Sequence, residues 1–450
     1  MDRTIVALST PAARGAIAVV RLSGPDSVAV AERVFRSRSG KTLSALAGYT
    51  ALYGDFLYGN ELLDDGVALV FRAPKSFTGE DMAELSCHGN PAIAERLVAA
   101  CVAAGAQPAA HGEFTRRAFE NGKIDLAEAE AVAELIAAES EGARRAALGR
   151  KNGAVSREVF RVREELSLLM ASLAVWSDYP EETDAPDLTR GGMLAAVGSA
   201  KASLRRLADG HRAGKYLQNG VTVAIVGRPN AGKSTLLNRL LGEERSIVTS
   251  KAGTTRDVIE ARTSLGSVPL RLLDTAGIRE TDDEIERIGV ERAREALQSC
   301  DAAVAVFDRS RPFSEEDAAL LREAEGRPFV AALNKIDLPD AGFPQLSCEC
   351  VEICAKDGAG LDRLGDAILH ALGASLTQGG ALIASERQYG CILRAIAALE
   401  ETEEALASGI TLDAAGVLVD EALGALGELT GQSASELTLE QVFSRFCVGK

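Results

Sequence analysis

Lys233 and Ser234 close the run Gly227-Arg-Pro-Asn-Ala-Gly-Lys-Ser, which has the G-x-x-x-x-G-K-[ST] spacing of a loop that cradles phosphates. Glycines at 227 and 232 let the backbone turn tightly enough for its N–H groups to face phosphate oxygens, and a helix starting at the lysine adds positive potential there. Asn230, Ala231, Gly232, Lys233, Ser234 and Thr235 are therefore candidate nucleotide contacts, Lys233 reaching the β- and γ-phosphates and the Ser234 hydroxyl ligating magnesium. The context agrees. Val221 to Val226 is a β-branched run suited to a sheet, and Thr235 to Leu241 continues as a helix.

Further candidates follow in the order that guanine selection requires. Asp274-Thr275-Ala276-Gly277 comes after the apolar strand Leu270–Leu273, so Asp274 can hold a magnesium-bound water and the Gly277 N–H can meet a γ-phosphate. Thr254 and Thr255 lie between loop and strand, where a switch threonine closes onto the metal; Thr255 joins Ser234 as the expected magnesium ligand. Asn334, Lys335 and Asp337, after the strand Phe329–Leu333, supply a base reader: a carboxylate at Asp337 accepts from the N1–H and 2-amino group that guanine has and adenine lacks. Cys354, Ala355 and Lys356 fit a last base-contact loop. Together these motifs predict a site that binds and hydrolyses GTP.

Beside Gly277, where many such enzymes carry a water-orienting glutamine, stands Ile278, which can neither donate nor accept a hydrogen bond. The acidic segment that follows, Glu280 to Glu286, offers carboxylates that either position water or form a solvated loop.

These residues need elements to hold them. At 450 residues the chain is too long for one core, and 46% hydrophobic with only 4% aromatic residues predicts Ala- and Leu-rich helices around the nucleotide unit. Residues 1–117 alternate apolar strands with turns and read as an α+β domain in which Arg21 and Glu84 stand as charges inside strands. Such charges either face solvent or bind a polar ligand such as a pterin ring. Residues 118–214 change to a helical period, with Asp125-Leu-Ala-Glu128 as a capping box and Leu126, Ala129, Val132 and Ile136 as a stripe. Residues 215–375 hold the nucleotide motifs, and 376–450 return to helix, so the fold expected is multidomain α/β and α with the nucleotide domain inserted into a discontinuous helical domain.

A net charge of −16 argues against a surface coated for phosphate binding, which leaves local patches for any nucleic acid: Arg116-Arg117, Arg144-Arg145 with Arg150-Lys151, and Arg157, Arg161 and Arg163. Each is also readable as a solvated helix face. Eight cysteines without regular spacing fit reduced intracellular thiols; Cys348, Cys350 and Cys354 resemble a zinc cluster but are accounted for by strand alternation. With no signal peptide and no long apolar stretch, a cytoplasmic location is expected, away from any membrane.

Several longer motifs are more specific than the phosphate loop. They are Ser-Phe-Thr-Gly-Glu-Asp at 76–81, Glu-Leu-Ser-Cys-His-Gly at 84–89, Gly-Glu-Phe-Thr-Arg-Arg-Ala-Phe at 112–119, Asp-Thr-Ala-Gly-Ile-Arg at 274–279 with Glu-Arg-Ile-Gly at 286–289, and Phe-Cys-Val-Gly-Lys at 446–450. Through them essentially the whole chain resembles the tRNA-modifying GTPase family MnmE, also called TrmE. The resemblance implies a folate-binding, dimerising N-terminal domain and an inserted Ras-like GTPase domain. It also implies an FAD-containing partner, MnmG (GidA), with which an aminomethyl or carboxymethylaminomethyl group is added to C5 of the wobble uridine of certain tRNAs.

Carried over by motif, the resemblance assigns a tetrahydrofolate derivative to Arg21, Glu84, Lys123 and Lys450. It assigns potassium to Asn230, Thr249, Lys251 and Thr254, extends the nucleotide contacts through Ser250, Ala252 and Gly253, and gives Glu286 the catalytic role of positioning water. A monovalent cation beside the phosphates would supply the charge of an arginine finger when two GTPase domains pair in a homodimer. Ser250-Lys251 and Cys354 depart from the family's commoner residues, although backbone groups can serve at both places.

Cys447 reads as a nucleophile on uracil C6 or as a small apolar residue packing the tail, and packing is favoured because no base adjoins it in sequence. The competing function is a regulatory ribosome-assembly GTPase without modification chemistry. Such factors carry a second GTPase unit or an RNA-binding module after the first, and neither is legible after residue 375.

Overall fold

The computed structural model describes residues 3–178, 189–242, 260–265, 268–273, 297–324, 326–373 and 382–450. Contacts gather these into two compact units, Met1–Ala133 with Gly427–Lys450, and Glu134–Leu426.

In the first unit, β1 (Ile5–Leu8), β2 (Ile17–Ser23), β3 (Phe35–Ser37), β4 (Thr50–Tyr58), β5 (Glu61–Phe71), β6 (Met82–His88) and β7 (Gln107–Pro108) form one sheet in the order β3-β4-β5-β6-β2-β1-β7. Strand alternation divides its residues between two faces. Ala18, Val20 and Leu22 of β2 and Leu85 and Cys87 of β6 turn inward onto a core completed by helices Ser27–Arg33 and Pro91–Ala103. Pro91 opens the second of these helices behind Asn90, whose side chain accepts from Ala92 N at 3.0 Å. The opposite face carries Arg21 paired directly across from Glu84, and around them the exposed apolar residues Ile17, Tyr53 and Val67.

The predicted capping box is present: Asp125 Oδ1 accepts from Glu128 N at 2.8 Å and Glu128 Oε2 accepts from Asp125 N at 3.0 Å. Leu126, Ala129 and Val132 of helix Leu126–Ala137 then pack on Val442 and Phe443 of helix Glu436–Phe443 and on Phe446 just beyond it. Ile136, expected on the same stripe, is instead exposed.

The second unit holds helices Glu141–Lys151, Ala154–Asp178, Arg190–Asp209, His211–Asn219 and Glu386–Ala407 together with a second sheet. Its strands are β8 (Val221–Gly227), β9 (Glu260–Leu265), β10 (Val268–Leu273), β11 (Ala302–Asp308), β12 (Phe329–Asn334) and β13 (Cys350–Glu352), ordered β13-β12-β11-β8-β10-β9. Every described pairing is parallel except β9 with β10. Central β8 is apolar on both faces, Val223 and Ile225 facing one core and Ala224 and Val226 the other, as a strand covered on both sides must be.

Helix His211–Asn219 leads into this sheet, and segment 382–385 leads out of the nucleotide region. They touch: a Cβ on Gly214 would lie 2.1 Å from Ile383 O, and Lys215 Nζ bonds Glu386 Oε1 at 2.7 Å. Nearby, Arg150 is buried and paired with Glu134 at 2.7 Å while donating to Leu382 O at 3.0 Å.

Candidate functional site

The nucleotide motifs meet at the carboxyl ends of β8, β11 and β12, where a doubly wound sheet offers its ligand crevice. Gly227 ends β8 at φ +155°, and a Cβ there would lie 2.5 Å from Val306 O. Gly232 is more constrained: at φ +102°, its Cβ would lie 2.1 Å from Asn334 Nδ2. That closeness has a use. Asn334 Nδ2 donates to Ala231 O at 2.9 Å and its Oδ1 accepts from Ala355 N at 3.0 Å, so one buried amide docks the phosphate loop onto both base-contact loops.

Lys335, at φ +69°, donates to Asn230 O at 3.0 Å and to Asp308 Oδ2 at 2.6 Å. Burial opposes ionisation of Asp308, but hydrogen bonds from Lys335 and Ser310 hold it below the usual carboxylate range. Cys354 is buried and its thiol donates to Asp337 Oδ1 at 3.5 Å, a weak bond where a serine would make a stronger one. Lys233 Nζ donates to Gly227 O at 2.6 Å and Arg228 O at 2.8 Å, and burial lowers its pKa. Ser234 and Thr235 are exposed where helix Lys233–Gly242 begins, and Lys356 is exposed on the base loop. Thr249 to Thr255, Asp274 to Ile278 and Glu286 lie outside the described residues.

Sequence reasoning missed Asp308 and Arg228. Asp308 ends β11 in register with Asn334, and an acid closing an apolar strand beside the base reader was the available signal. Arg228 joins the phosphate loop to helix Glu315–Ala324 through Ser314 Oγ at 2.7 Å and Asp317 Oδ2 at 3.2 Å.

A second constellation lies on the other face of the first sheet, where Phe77 and Phe114 partly cover it. Arg21 bonds Glu84 at 2.8 and 2.9 Å with both side chains about one-fifth exposed, and its guanidinium lies 5.7 Å from the Phe77 ring and 5.8 Å from Phe114. Lys450 joins them from the far end of the chain. Burial and then the Arg21 charge lower its pKa, opposed by Glu84 and Cys447. Lys123 is not among these contacts; its ammonium donates to Pro74 O at 2.9 Å.

The tail reaches this face because it is tied down. His111 Nδ1 contacts Phe446 O at 2.9 Å, the His111 and Val448 backbones pair, and Ser9 Oγ donates to Gly449 O at 3.2 Å. Gly449 has φ +95°, with Leu8 O only 2.3 Å from where a Cβ would sit. Cys447 is exposed, which does not fit the reading of it as a small apolar residue packing the tail.

The basic patches become largely ion pairs. Arg117 is buried against Glu80 and Glu113 at 3.0 Å each, Arg116 pairs with Glu120 and Glu436, Arg144 and Arg145 share Glu141, and Arg150 pairs with Glu134. Among the described helices none is long and apolar enough to cross a membrane.

Comparison with known proteins gives matches over almost the whole chain. The MnmE helical domain model matches residues 126–447, and the model for the GTP-binding protein TrmE N-terminus matches residues 4–123. The chain is 39% identical to the tRNA modification GTPase MnmE of Streptococcus thermophilus over 99% of its own length and 98% of that protein. It is 40% identical to the one of Symbiobacterium thermophilum over the whole of both chains. Among solved structures, a variant of Aquifex aeolicus Era bound to GDP.AlF4- is 30% identical, covering 40% of this chain and 66% of that one at a TM-score of 0.27. The G domain of the T. maritima FeoB iron transporter is 25% identical, covering 34% of this chain and 98% of that one at 0.25. The chain belongs to the tRNA modification GTPase MnmE family.

Proposed function

We propose that this protein hydrolyses GTP in the service of adding an aminomethyl or carboxymethylaminomethyl group to C5 of a wobble uridine, with a reduced folate as one-carbon donor and an FAD-containing partner of the MnmG type. The observation that carries it is the convergence of Arg21, Glu84 and Lys450, half-buried beside Phe77 and Phe114 on a sheet outside the nucleotide domain. Cations there suit the glutamate carboxylates of a folate, and a carboxylate suits the amino groups of a pterin. A purely regulatory GTPase has no use for such a second site. Lys123, whose ammonium donates to Pro74 O, would exchange that carbonyl for the ligand.

At the nucleotide site, Lys233 would exchange its loop carbonyls for phosphate oxygens, and Asp337 would read the guanine edge from a loop braced by Asn334. Ser234, exposed at a helix start, offers the oxygen that magnesium requires, with Thr255 as its companion; the metal would neutralise charge between the β- and γ-phosphates. Potassium held by Asn230, Thr249, Lys251 and Thr254 would favour hydrolysis, and Glu286 would orient water in the place that Ile278 leaves empty. Ile17, Tyr53 and Val67 on the open face support a homodimer formed through the first unit, since apolar residues grouped on one sheet face mark an association surface. The protein would work on tRNA in the cytoplasm.

Nucleoside analysis of tRNA from cells lacking the gene tests the assignment. C5-modified wobble uridines are expected to disappear, and their persistence at normal levels would sink it.

A further inference from the structure

We propose that His88 is a proton-transfer residue for the ligand seated on Arg21, Glu84 and Lys450, with Asp64 as the residue that fixes its orientation and tautomer; this rests on the reading of that face as a folate site. His88 ends β6 on the same face as Glu84, four residues further along the strand. At about 3.3 Å per residue the two side chains stand roughly 13 Å apart, within reach of one extended ligand.

An exposed histidine beside an acid is usually a surface ion pair of little consequence. Asp64 does more. Its carboxylate is only 10% exposed and grips His88 at two points: Oδ2 accepts from the His88 backbone N–H at 2.8 Å, and Oδ1 meets ring Nδ1 at 2.8 Å. Burial pushes Asp64 up, but the bonds from His88 outweigh it and hold the group below its ordinary value. An ionised Asp64 places the proton on Nδ1 and leaves Nε2 as the working nitrogen, on a side chain 68% exposed.

The backbone around the pair is equally constrained. Gly89 N donates to Ala16 O at 3.2 Å and Gly15 N to Gly89 O at 2.9 Å, while Gly66 runs so near Ser86 that a Cβ would lie 2.1 Å from its carbonyl oxygen. His88 pairs across the sheet with Ile17. A ligand or second copy lying on this face would therefore strip water from the imidazole.

The charged groups facing the ring are Asp64 and Asp65, the latter engaged by the Tyr53 hydroxyl and by Arg38 at 3.5 Å, while neighbouring Cys87 turns into the core. Asp64, first through its hydrogen bond, raises His88 above the usual histidine value, so the imidazolium persists toward neutral pH. The step it fits is the release of a one-carbon unit from a folate amine. The carbon bridges two folate amines. Imidazolium Nε2–H gives its proton to one nitrogen as the bond from that nitrogen to the carbon breaks and its bonding pair stays there. The lone pair of the second nitrogen forms a C=N bond that keeps the carbon attached as an iminium, and neutral imidazole takes a proton back from water.

The test uses the full chain with its FAD partner and substrate tRNA. His88→Gln is expected to lower modification turnover by roughly 10²-fold or more while tetrahydrofolate affinity, read by calorimetry, changes little. Asp64→Asn, which keeps an acceptor for the backbone, is expected to move the alkaline limb of the turnover profile to lower pH, because the ring loses the charge that raises its pKa. Folate binding with unchanged turnover in His88→Gln overturns the inference alone, as does a loss confined to folate affinity. No folate binding by the unmutated protein overturns the reading of the face, and the inference with it.

Discussion

Asn334 shows how much a single side chain carries. Both ends of its amide are used inside the protein, toward Ala231 and Ala355, so it braces the phosphate loop against the loops that follow β12 and β13. Asn334→Ala leaves a buried carbonyl and a buried amide unpaired at about 1–3 kcal/mol each, and GTP binding is expected to weaken by one to two orders of magnitude, measured with a fluorescent nucleotide. Arg21→Ala and Glu84→Ala act elsewhere. Each removes a charged hydrogen bond of roughly 1.5–3 kcal/mol, and each should weaken tetrahydrofolate by one to two decades in calorimetry while leaving GTP affinity alone. An equal loss of GTP affinity would show that the two sites do not act separately. At this scale the sequence was most legible where chemistry dictates residue type: Gly227, Gly232 and Lys233 lie at the turn from β8 into helix Lys233–Gly242, as the spacing predicts. Asp308 and the Asp64–His88 pair were illegible because their meaning arises only when strands distant in sequence are laid side by side.

At the scale of elements, periodicity predicted the strands and helices well because burial on one face imposes a repeat of two or 3.6. The capping box at Asp125 and the apolar run of β8 are cases in which local sequence and local structure coincide. The Arg150 patch is the opposite case. Read as a basic helix face, it is instead a buried pair with Glu134, because helix period cannot reveal which stripe a neighbouring element covers. Breaking such a pair strands one charge in the interior, so Glu134→Ala is expected to destabilise the second unit by about 3–5 kcal/mol, read as a lowered midpoint in chemical denaturation. A double replacement of Glu134 and Arg150 by apolar residues should recover much of that loss. The C-terminal tail is where element-level reading ran out. Helical spacing in the preceding sequence says nothing of a strand-like pairing between Val448 and His111, which needs a partner more than 300 residues away.

For the whole molecule, the expected multidomain organisation is present as an α+β sheet domain, helices, and a P-loop sheet whose entry and exit segments touch at Gly214 and Ile383. With its ends so close, the nucleotide domain behaves as an insertion that asks little of the helices on either side. If two such domains close over a monovalent cation, hydrolysis should depend on which cation is present. GTP turnover is expected to rise strongly in potassium and little in sodium, and Asn230→Ala should abolish the stimulation while nucleotide binding survives. Equal rates in the two salts would remove the cation from the mechanism.

The pinned tail carries a consequence for how the protein is made. Ser9 bonds Gly449, and the first unit needs both Met1–Ala133 and Gly427–Lys450, with the 293 residues from 134 to 426 between them. At roughly 5–20 residues per second, a ribosome takes about 15–60 s to cross that interval. During it the sheet of the emerging chain can assemble, but Leu126, Ala129 and Val132 have no Phe443 or Phe446 to cover them and no Lys450 stands beside Arg21. The nascent protein therefore passes through a stage with a formed sheet and a bare apolar helix. A chain interrupted before residue 442 would keep that helix uncovered and be prone to aggregate through it.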